Sequence, residues 1–224
     1  MLLDDMQPRC DLVLPCRDEA LALPALFAEI PGNFDVVVVD NGSTDETGRV
    51  AKRLGATVVH ESRPGYGAAV HAGLLACTAD YVAVIDGDGS MDPRELPALL
   101  DAVASGIVTM AVGRRRPVRR GVWPWHARAG NWAVLWWLRR RTGLEVYDIA
   151  PVRVCRRADL LALDLRDRRF GYSVELLVKA QRSGWRIGEY DVSYHPRAEG
   201  TKSKVSGSVR GTVRTARDFA RMLP

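Results

Sequence analysis

Two carboxylates separated by one glycine, Asp86-Gly87-Asp88, follow directly after the apolar run Tyr81–Ile85. Such a run predicts a buried strand, so both carboxylates would lie at its carboxyl end. Mg²⁺ and Mn²⁺ prefer oxygen ligands and leave positions open for phosphate oxygens. The pair therefore predicts a divalent metal site that holds a diphosphate. A plain Asp-Gly turn is the structural alternative. An EF-hand calcium loop is excluded because Met91 stands where that loop needs glycine.

A second polar loop follows the β-branched run 34–39. Its first residue, Asp40, could accept hydrogen bonds from a base or a ribose. The following residues are turn formers, and they predict a helix to Leu54 that is capped near Ser43 or Thr44. Function and plain turn chemistry remain equally open for Asp40.

A glycine-containing loop, residues 63–67, precedes another helical pattern. Its backbone N–H groups suit an anion, and Arg63 suits a phosphate. The loop resembles a dinucleotide fingerprint only in part, because Val70 stands where the third glycine belongs, and NAD binding is excluded. A P-loop sequence is also missing, so a P-loop ATPase is unsupported.

The elements that position these loops alternate between strand and helix. This alternation predicts a doubly wound α/β sheet, whose ligands bind outside the carboxyl ends of the strands. We expect a single domain, 1–224, with a nucleotide-sugar-binding half at about 10–113 and an acceptor-binding half at about 114–224. The predicted strands span about 11–14, 34–39, 57–60, 81–85, 107–112, 147–155 and 186–194. The predicted helices span about 19–30, 44–54, 65–77, 92–104, 125–140, 172–182 and 208–223, with a mobile loop at 201–211.

Arginine and tryptophan are concentrated between residues 114 and 141. This segment contains five of the six tryptophans and two arginine clusters, 114–120 and 139–141. Arginine clusters attract phosphate, and tryptophan suits a lipid headgroup layer. Nucleic acid would also be attracted by such a patch. A solvated basic face over a tryptophan-packed helix is the structural alternative.

The bulk composition describes a globular chain. It has 224 residues, a net charge of +5 and 47% hydrophobic residues, which is enough to bury a core. The four cysteines show no paired spacing and are expected to be free thiols in a reducing cytosol. We expect neither a signal peptide nor a transmembrane helix, because residues 1–10 are short and acidic and no apolar run reaches about 18 residues.

Several motifs together resemble the family 2 glycosyltransferases with the GT-A fold, and most closely the branch of dolichyl- and polyprenyl-phosphate sugar synthases. The resemblance covers about residues 10–210. It implies a Rossmann-like, doubly wound mixed sheet that is mostly parallel and flanked by helices. The matching stretches are Leu14–Glu19, Val38–Asp45, Arg63–Gly67, Ile85–Asp88, Phe170–Leu176 and Pro196–Lys204.

The resemblance also implies roles for individual residues. Arg17-Asp18 departs from the commoner Tyr-Asn of the family, which leaves the fine donor contacts there open. His195 would complete a metal shell with Asp86 and Asp88. The residues expected to line the nucleotide site are Pro15, Arg17, Glu19, Asp40, Arg63, Gly65, Asp86 and Gly87.

The expected reaction is a metal-dependent inverting transfer of a hexose from a UDP- or GDP-sugar, with Asp88 in the catalytic set. A hydroxyl acceptor would need a general base, for which Asp148 and Glu175 are the candidates. A polyprenyl phosphate would need only cations, which favours a membrane-peripheral enzyme in the cytoplasm at the inner face of the plasma membrane. A soluble hydroxyl acceptor, such as a specialised metabolite, stays open. The residues expected to bind the acceptor are Arg114, Arg128, Arg197, Lys202 and Lys204.

Two other classes of protein would each account for part of the sequence. A sugar-1-phosphate nucleotidyltransferase would carry a glycine-rich signature near its N-terminus, where this chain has Pro15–Glu19. A non-catalytic anion- or nucleic-acid-binding module would explain the arginines. It gives no reason for Asp86 and Asp88, which repel phosphate unless a metal is present.

Overall fold

The computed structural model describes residues 8–149 and 151–198. Its strands form one seven-stranded sheet in the order β3-β2-β1-β4-β6-β5-β7, in which β6 runs antiparallel to β4 and β5 and the other pairs are parallel. The predicted mixed, mostly parallel sheet is therefore confirmed. The strands are β1 Cys10–Cys16, β2 Phe34–Asp40, β3 Thr57–His60, β4 Tyr81–Val84, β5 Met110–Pro117, β6 Arg153–Arg156 and β7 Ile187–Tyr194.

Helices cover both faces of the sheet because side chains alternate along each strand. Val13 of β1 packs into a core with α3, α5 and α7, whereas Leu12 and Leu14 pack with α1, α2 and α4. Gly73 permits α3 to lie directly on β1, since a Cβ there would come within 2.5 Å of Val13. The helices are α1 Leu23–Ala28, α2 Thr47–Arg53, α3 Tyr66–Ala76, α4 Leu96–Ala104, α5 Trp125–Thr142, α6 Arg157–Ala162 and α7 Tyr172–Arg182.

The expected start of α2 is wrong. The helix begins at Thr47, and neither Ser43 nor Thr44 caps it. Ser43 Oγ instead accepts the N–H of Asp18, and Asp45 accepts the N–H of Ala20. These side chains connect the loop after β2 to the loop after β1. Residues that were expected to form a local turn and helix cap therefore make a long-range contact.

Two strands differ from their predicted bounds by three residues or more, and α6 was not predicted. β5 extends to Pro117, so the first arginines of the basic segment are strand residues. β6 begins only at Arg153 because the segment before it is held by side chains. Asn131 of α5 bonds the backbone of Tyr147 and Ile149, and Glu189 accepts the N–H of Tyr147.

Some predictions fall on residues that the structure does not describe. Lys202, Lys204, the loop 201–211 and the helix 208–223 lie outside the described residues. Within the described residues, the helices are too short or too polar to cross a membrane. The four cysteines are free and buried, as expected of thiols.

Candidate active site

A cavity of about 400 Å³ opens at the carboxyl ends of β1 and β4. This is where a doubly wound sheet places its ligand. Eight of the predicted site residues line it, drawn from the end of β1, the loop after β1, the loop before α3, the loop after β4 and the segment after β7. They are Pro15, Arg17, Glu19, Gly65, Asp86, Gly87, Asp88 and Arg197.

The two carboxylates of the loop after β4 form one wall of the cavity. Asp88 is buried, with Oδ1 accepting the N–H of Ser90 at 3.0 Å and Oδ2 lying 3.0 Å from Arg197 Nε. Burial and the neighbouring charge of Asp88 raise the pKa of Asp86 to about 6. Gly87 is required between them because a Cβ there would come within 2.3 Å of Cys16 Sγ. The loop thus concentrates negative charge where water is scarce.

The expected shell of Asp86, Asp88 and His195 is not assembled. Across residues 8–149 and 151–198, no three His, Cys, Asp or Glu side chains are grouped to hold a metal. The backbone N–H of His195 bonds Ser90 O at 2.9 Å. Arg94 lowers the pKa of Asp92 through a hydrogen bond, and His195 contributes to this lowering. His195 therefore lies close enough to affect Asp92, whereas Asp86 and Asp88 stay together at the cavity wall.

Arg115, rather than Arg114, projects its charge into the cavity. Successive residues of a strand face opposite sides, and β5 places Arg115 beside Asp148, which it holds through Nε at 2.8 Å and Nη2 at 2.7 Å. Its guanidinium also lies 4.0 Å from the ring centroid of Trp123. Arg114 instead lies over the ring of Tyr147. The side chain of Arg128 is exposed on α5 and does not line the cavity.

Both carboxylates expected as general bases are engaged elsewhere. Asp148 is 1% exposed and accepts the backbone N–H of Arg115 in addition to its guanidinium. Glu175 accepts the N–H groups of Arg166 and Asp167 and lies 3.0 Å from Lys179. Burial acts to raise the pKa of Glu175, but these hydrogen bonds outweigh it and lower the pKa. Neither carboxylate lines the cavity.

The loop before α3 does not offer the N–H groups expected for an anion. Gly67 N–H and Ala68 N–H donate to the carbonyls of Arg169 and Arg168 at 3.1 and 2.9 Å. A Cβ on Gly67 would come within 2.5 Å of Asp167 O, so the glycine permits the segment 167–170 to lie against α3. This contact brings Arg169 and Phe170 to the cavity.

Residues 11–155 match the family model described as glycosyl transferase family 2. The chain belongs to this family. This glycosyltransferase is 54% identical over 212 residues to an uncharacterised glycosyltransferase of Mycobacterium tuberculosis (strain ATCC 25618 / H37Rv), covering 95% of this chain and 96% of the relative. It is 32% identical over 217 residues to the undecaprenyl-phosphate mannosyltransferase of Micrococcus luteus, covering 89% of this chain and 88% of the relative.

Solved structures share the fold of this chain. The glucosyl-3-phosphoglycerate synthase from Mycobacterium tuberculosis, in complex with Mg²⁺ and uridine diphosphate, superimposes with a TM-score of 0.78. It is 21% identical, and the match covers 100% of this chain and 85% of that chain. The predicted GT-A fold and the predicted resemblance to the polyprenyl-phosphate sugar synthases are confirmed.

Two residues predicted to contact the nucleotide lie outside the cavity at the ends of β1 and β4 of this glycosyltransferase. Asp40 accepts the N–H of Ser43 at 2.9 Å, lies 3.4 Å from His60 and lines a separate groove between α2 and β3. Arg63 is exposed and is absent from the cavity lining, whereas Asn41 belongs to it. Asn41 also accepts the N–H of Gly65 at 2.9 Å. Its position one residue after Asp40 was the only sequence signal for it.

Proposed function

We propose that this glycosyltransferase moves a hexose from a UDP- or GDP-sugar to a polyprenyl phosphate, in one metal-dependent displacement that inverts the anomeric carbon. The observation that carries the proposal is the charge pattern of the cavity. Asp86 and Asp88 stand on one wall, four arginines belong to the lining, and both carboxylates considered as bases are held elsewhere. The four arginines are Arg17, Arg115, Arg169 and Arg197.

The carboxylate pair fits Mg²⁺ or Mn²⁺. Burial and the charge of Asp88 raise the pKa of Asp86 to about 6. A bound cation would relieve the repulsion between these two carboxylates. Mg²⁺ is commonly bound through one or two carboxylates plus substrate phosphates, and this site offers two. When bound, such an ion neutralises charge on the leaving diphosphate. Asp86 and Asp88 would hold it, and Pro15, Arg17 and Glu19 would border the nucleotide.

The engagement of Asp148 and Glu175 favours a phosphate acceptor. A hydroxyl acceptor needs a carboxylate within hydrogen-bond reach, and these two carboxylates are bonded to Arg115 and to the loop 166–167. A phosphate monoester is largely ionised near neutral pH and needs only cations to seat it. The name of the Micrococcus luteus relative, which specifies undecaprenyl phosphate, supports this choice. We assign the donor to about 10–113 and the acceptor to about 114–224.

The outer face of α5 supports contact with a membrane. Its inner face packs through Leu135 and Leu138, whereas Trp125, Trp132 and Trp136 are 79%, 66% and 45% exposed. Trp123 and Trp137 pack against the cores, so the tryptophan-packed alternative describes these two rings but not the three exposed ones. Exposed tryptophan beside arginine suits an anionic headgroup layer, because the rings enter the interface and the guanidiniums pair with phosphate. We therefore place the enzyme at the cytoplasmic face of the membrane.

Two measurements test the proposal. Transfer of labelled sugar from UDP- and GDP-sugars to polyprenyl phosphate in anionic vesicles, with and without Mn²⁺, tests donor, metal and acceptor together. Transfer only to water-soluble acceptors would support the soluble-acceptor alternative instead. Flotation tests the membrane contact: the wild type should float with anionic vesicles, and the Trp132→Ser, Trp136→Ser double variant should float less. Leu21→Ser, which removes a 73% exposed apolar side chain outside α5, is the matched control.

A further inference from the structure

A buried arginine lies behind the cavity without a carboxylate partner. Arg153 of β6 is 2% exposed, and no carboxylate lies within ion-pair distance of it in the described part of the chain. Burying a charged group without an adjacent counter-charge is unfavourable. Its Nε also lacks a hydrogen-bond partner among the described residues. The buried charge of Arg153 is therefore expected to serve a function through the residues that it contacts.

The guanidinium of Arg153 donates to two hydroxyls that line the cavity. It bonds Tyr66 Oη through Nη2, and Ser173 Oγ through Nη1 at 3.3 Å. Tyr66 and Ser173 belong to the cavity lining, but Arg153 does not. The positive charge of Arg153 therefore lies behind the cavity surface, and one hydroxyl separates it from a ligand in the cavity.

The direction of these hydrogen bonds leaves two protons for a ligand. A guanidinium has no acceptor, so a hydroxyl that accepts from it must send its own proton elsewhere. Within the described residues, no acceptor is bonded to the hydroxyl proton of Tyr66 or Ser173. Burial raises the pKa of Tyr66 to about 12, so this phenol keeps its proton at neutral pH. A charge-assisted bond from behind makes each hydroxyl a stronger donor.

We propose that Tyr66 and Ser173 form a subsite that donates two hydrogen bonds to an oxygen of the sugar nucleotide, with Arg153 as the positioning residue that polarises both hydroxyls. The oxygen is an acceptor on the diphosphate or a hydroxyl of the sugar, since the two share this chemistry. The proposal rests on the proposed function for the identity of the donor. Asp86 lines the same cavity as the two hydroxyls.

Titration calorimetry with Mn²⁺ tests the subsite. UDP, GDP and their hexose conjugates are titrated into the wild type, Tyr66→Phe, Ser173→Ala and Tyr172→Phe. Tyr172 is the matched control because it packs edge-on against Tyr66, its hydroxyl has no hydrogen-bond partner among the described residues, and it does not line the cavity. Tyr66→Phe and Ser173→Ala should each bind about 3- to 10-fold more weakly, as expected for one lost hydrogen bond. Tyr172→Phe should bind as the wild type does.

The pattern of loss identifies the oxygen. Equal weakening of the diphosphate and its conjugates places it on the diphosphate, whereas weakening of the conjugates alone places it on the sugar. Wild-type affinity of both Tyr66→Phe and Ser173→Ala for every ligand would overturn the subsite while leaving the proposed function intact. A wild type that binds neither nucleotide class would overturn the donor assignment, and this subsite with it.

A double-mutant cycle separates polarisation by Arg153 from a merely structural role. Arg153→Met keeps much of the side-chain volume but removes the charge. If Arg153 polarises the phenol, Tyr66→Phe should cost clearly less affinity in the Arg153→Met background than in the wild type. If the losses of affinity from the two substitutions were additive, the proposal that Arg153 polarises the Tyr66 hydroxyl would be wrong. Thermal unfolding of each variant confirms folding, and the conservative Arg153→Lys should recover part of the affinity because it restores a buried donor.

Discussion

Replacement of Asp86 by asparagine is expected to stabilise the metal-free protein at neutral pH. The carboxyl of Asp86 has a pKa of about 6 in the fold, against an ordinary value of 3.8. Because the folded value is the higher one, the contribution of this group to stability is fully present below about pH 3.8. It is lost as the pH rises through about 6. Asparagine has no proton to lose, so the variant lacks this decline.

The size of the effect follows from the gap between the two pKa values. Roughly two pKa units at about 1.4 kcal/mol each give an upper limit of about 3 kcal/mol at pH 7.5. Asp86 is partly exposed, so solvent screening reduces this to roughly 1–2 kcal/mol. For a chain of this length, 1 kcal/mol corresponds to about 2–4 °C in Tm. The difference between variant and wild type should thus approach zero near pH 4 and reach several degrees at pH 7.5.

Thermal and urea unfolding in EDTA, from pH 4 to 8, measure this difference. Asp92→Asn is the control of opposite sign: the hydrogen bond from Arg94 holds the pKa of Asp92 below its usual value. The contribution of Asp92 to stability is fully present above the pKa of the unfolded state, and it is lost as the pH falls through the lower pKa of the folded state. Asp92→Asn should therefore destabilise at neutral pH, and less so in acid. A difference for Asp86→Asn that is independent of pH, or that destabilises at pH 7.5, would refute the electrostatic account.

Three other substitutions test separate parts of the site. Gly67→Ala should lower the free energy of unfolding in urea by about 1–3 kcal/mol, because its Cβ would come within 2.5 Å of a backbone carbonyl. Gly130→Ala is the control: a Cβ there meets open space, so this change should stabilise α5 by roughly 0.5–1 kcal/mol. Asp148→Asn should cost about 3 kcal/mol by leaving Arg115 unpaired; lost transfer with unchanged stability would instead indicate a chemical role. Asp88→Ala should abolish the metal-dependent thermal shift with nucleotide, about 2.7 kcal/mol at 100 times Kd in the wild type.

The sequence determined the elements and the place of the site. Apolar runs and helical spacing are local properties, and they predicted β3 and α7 to the residue. They also located the first four helices, although α1 and α4 begin four residues later than predicted. The pairing of Asp86 and Asp88 at a strand end is also local, because one glycine separates them. Strand alternation would have selected Arg115 over Arg114 had β5 been predicted to continue to Pro117.

Only the tertiary structure decided which polar side chains are available to a ligand. Gly67 meets Arg168 and Arg169 across about a hundred residues of chain, and the N–H groups that looked free for an anion are bonded there. Glu175 is held by the same segment, and Asp148 by Arg115. Local pattern specifies whether a residue can donate or accept a hydrogen bond. The partner it finds depends on which distant segment the fold brings alongside it, and that was settled by the packing of the sheet and its helices.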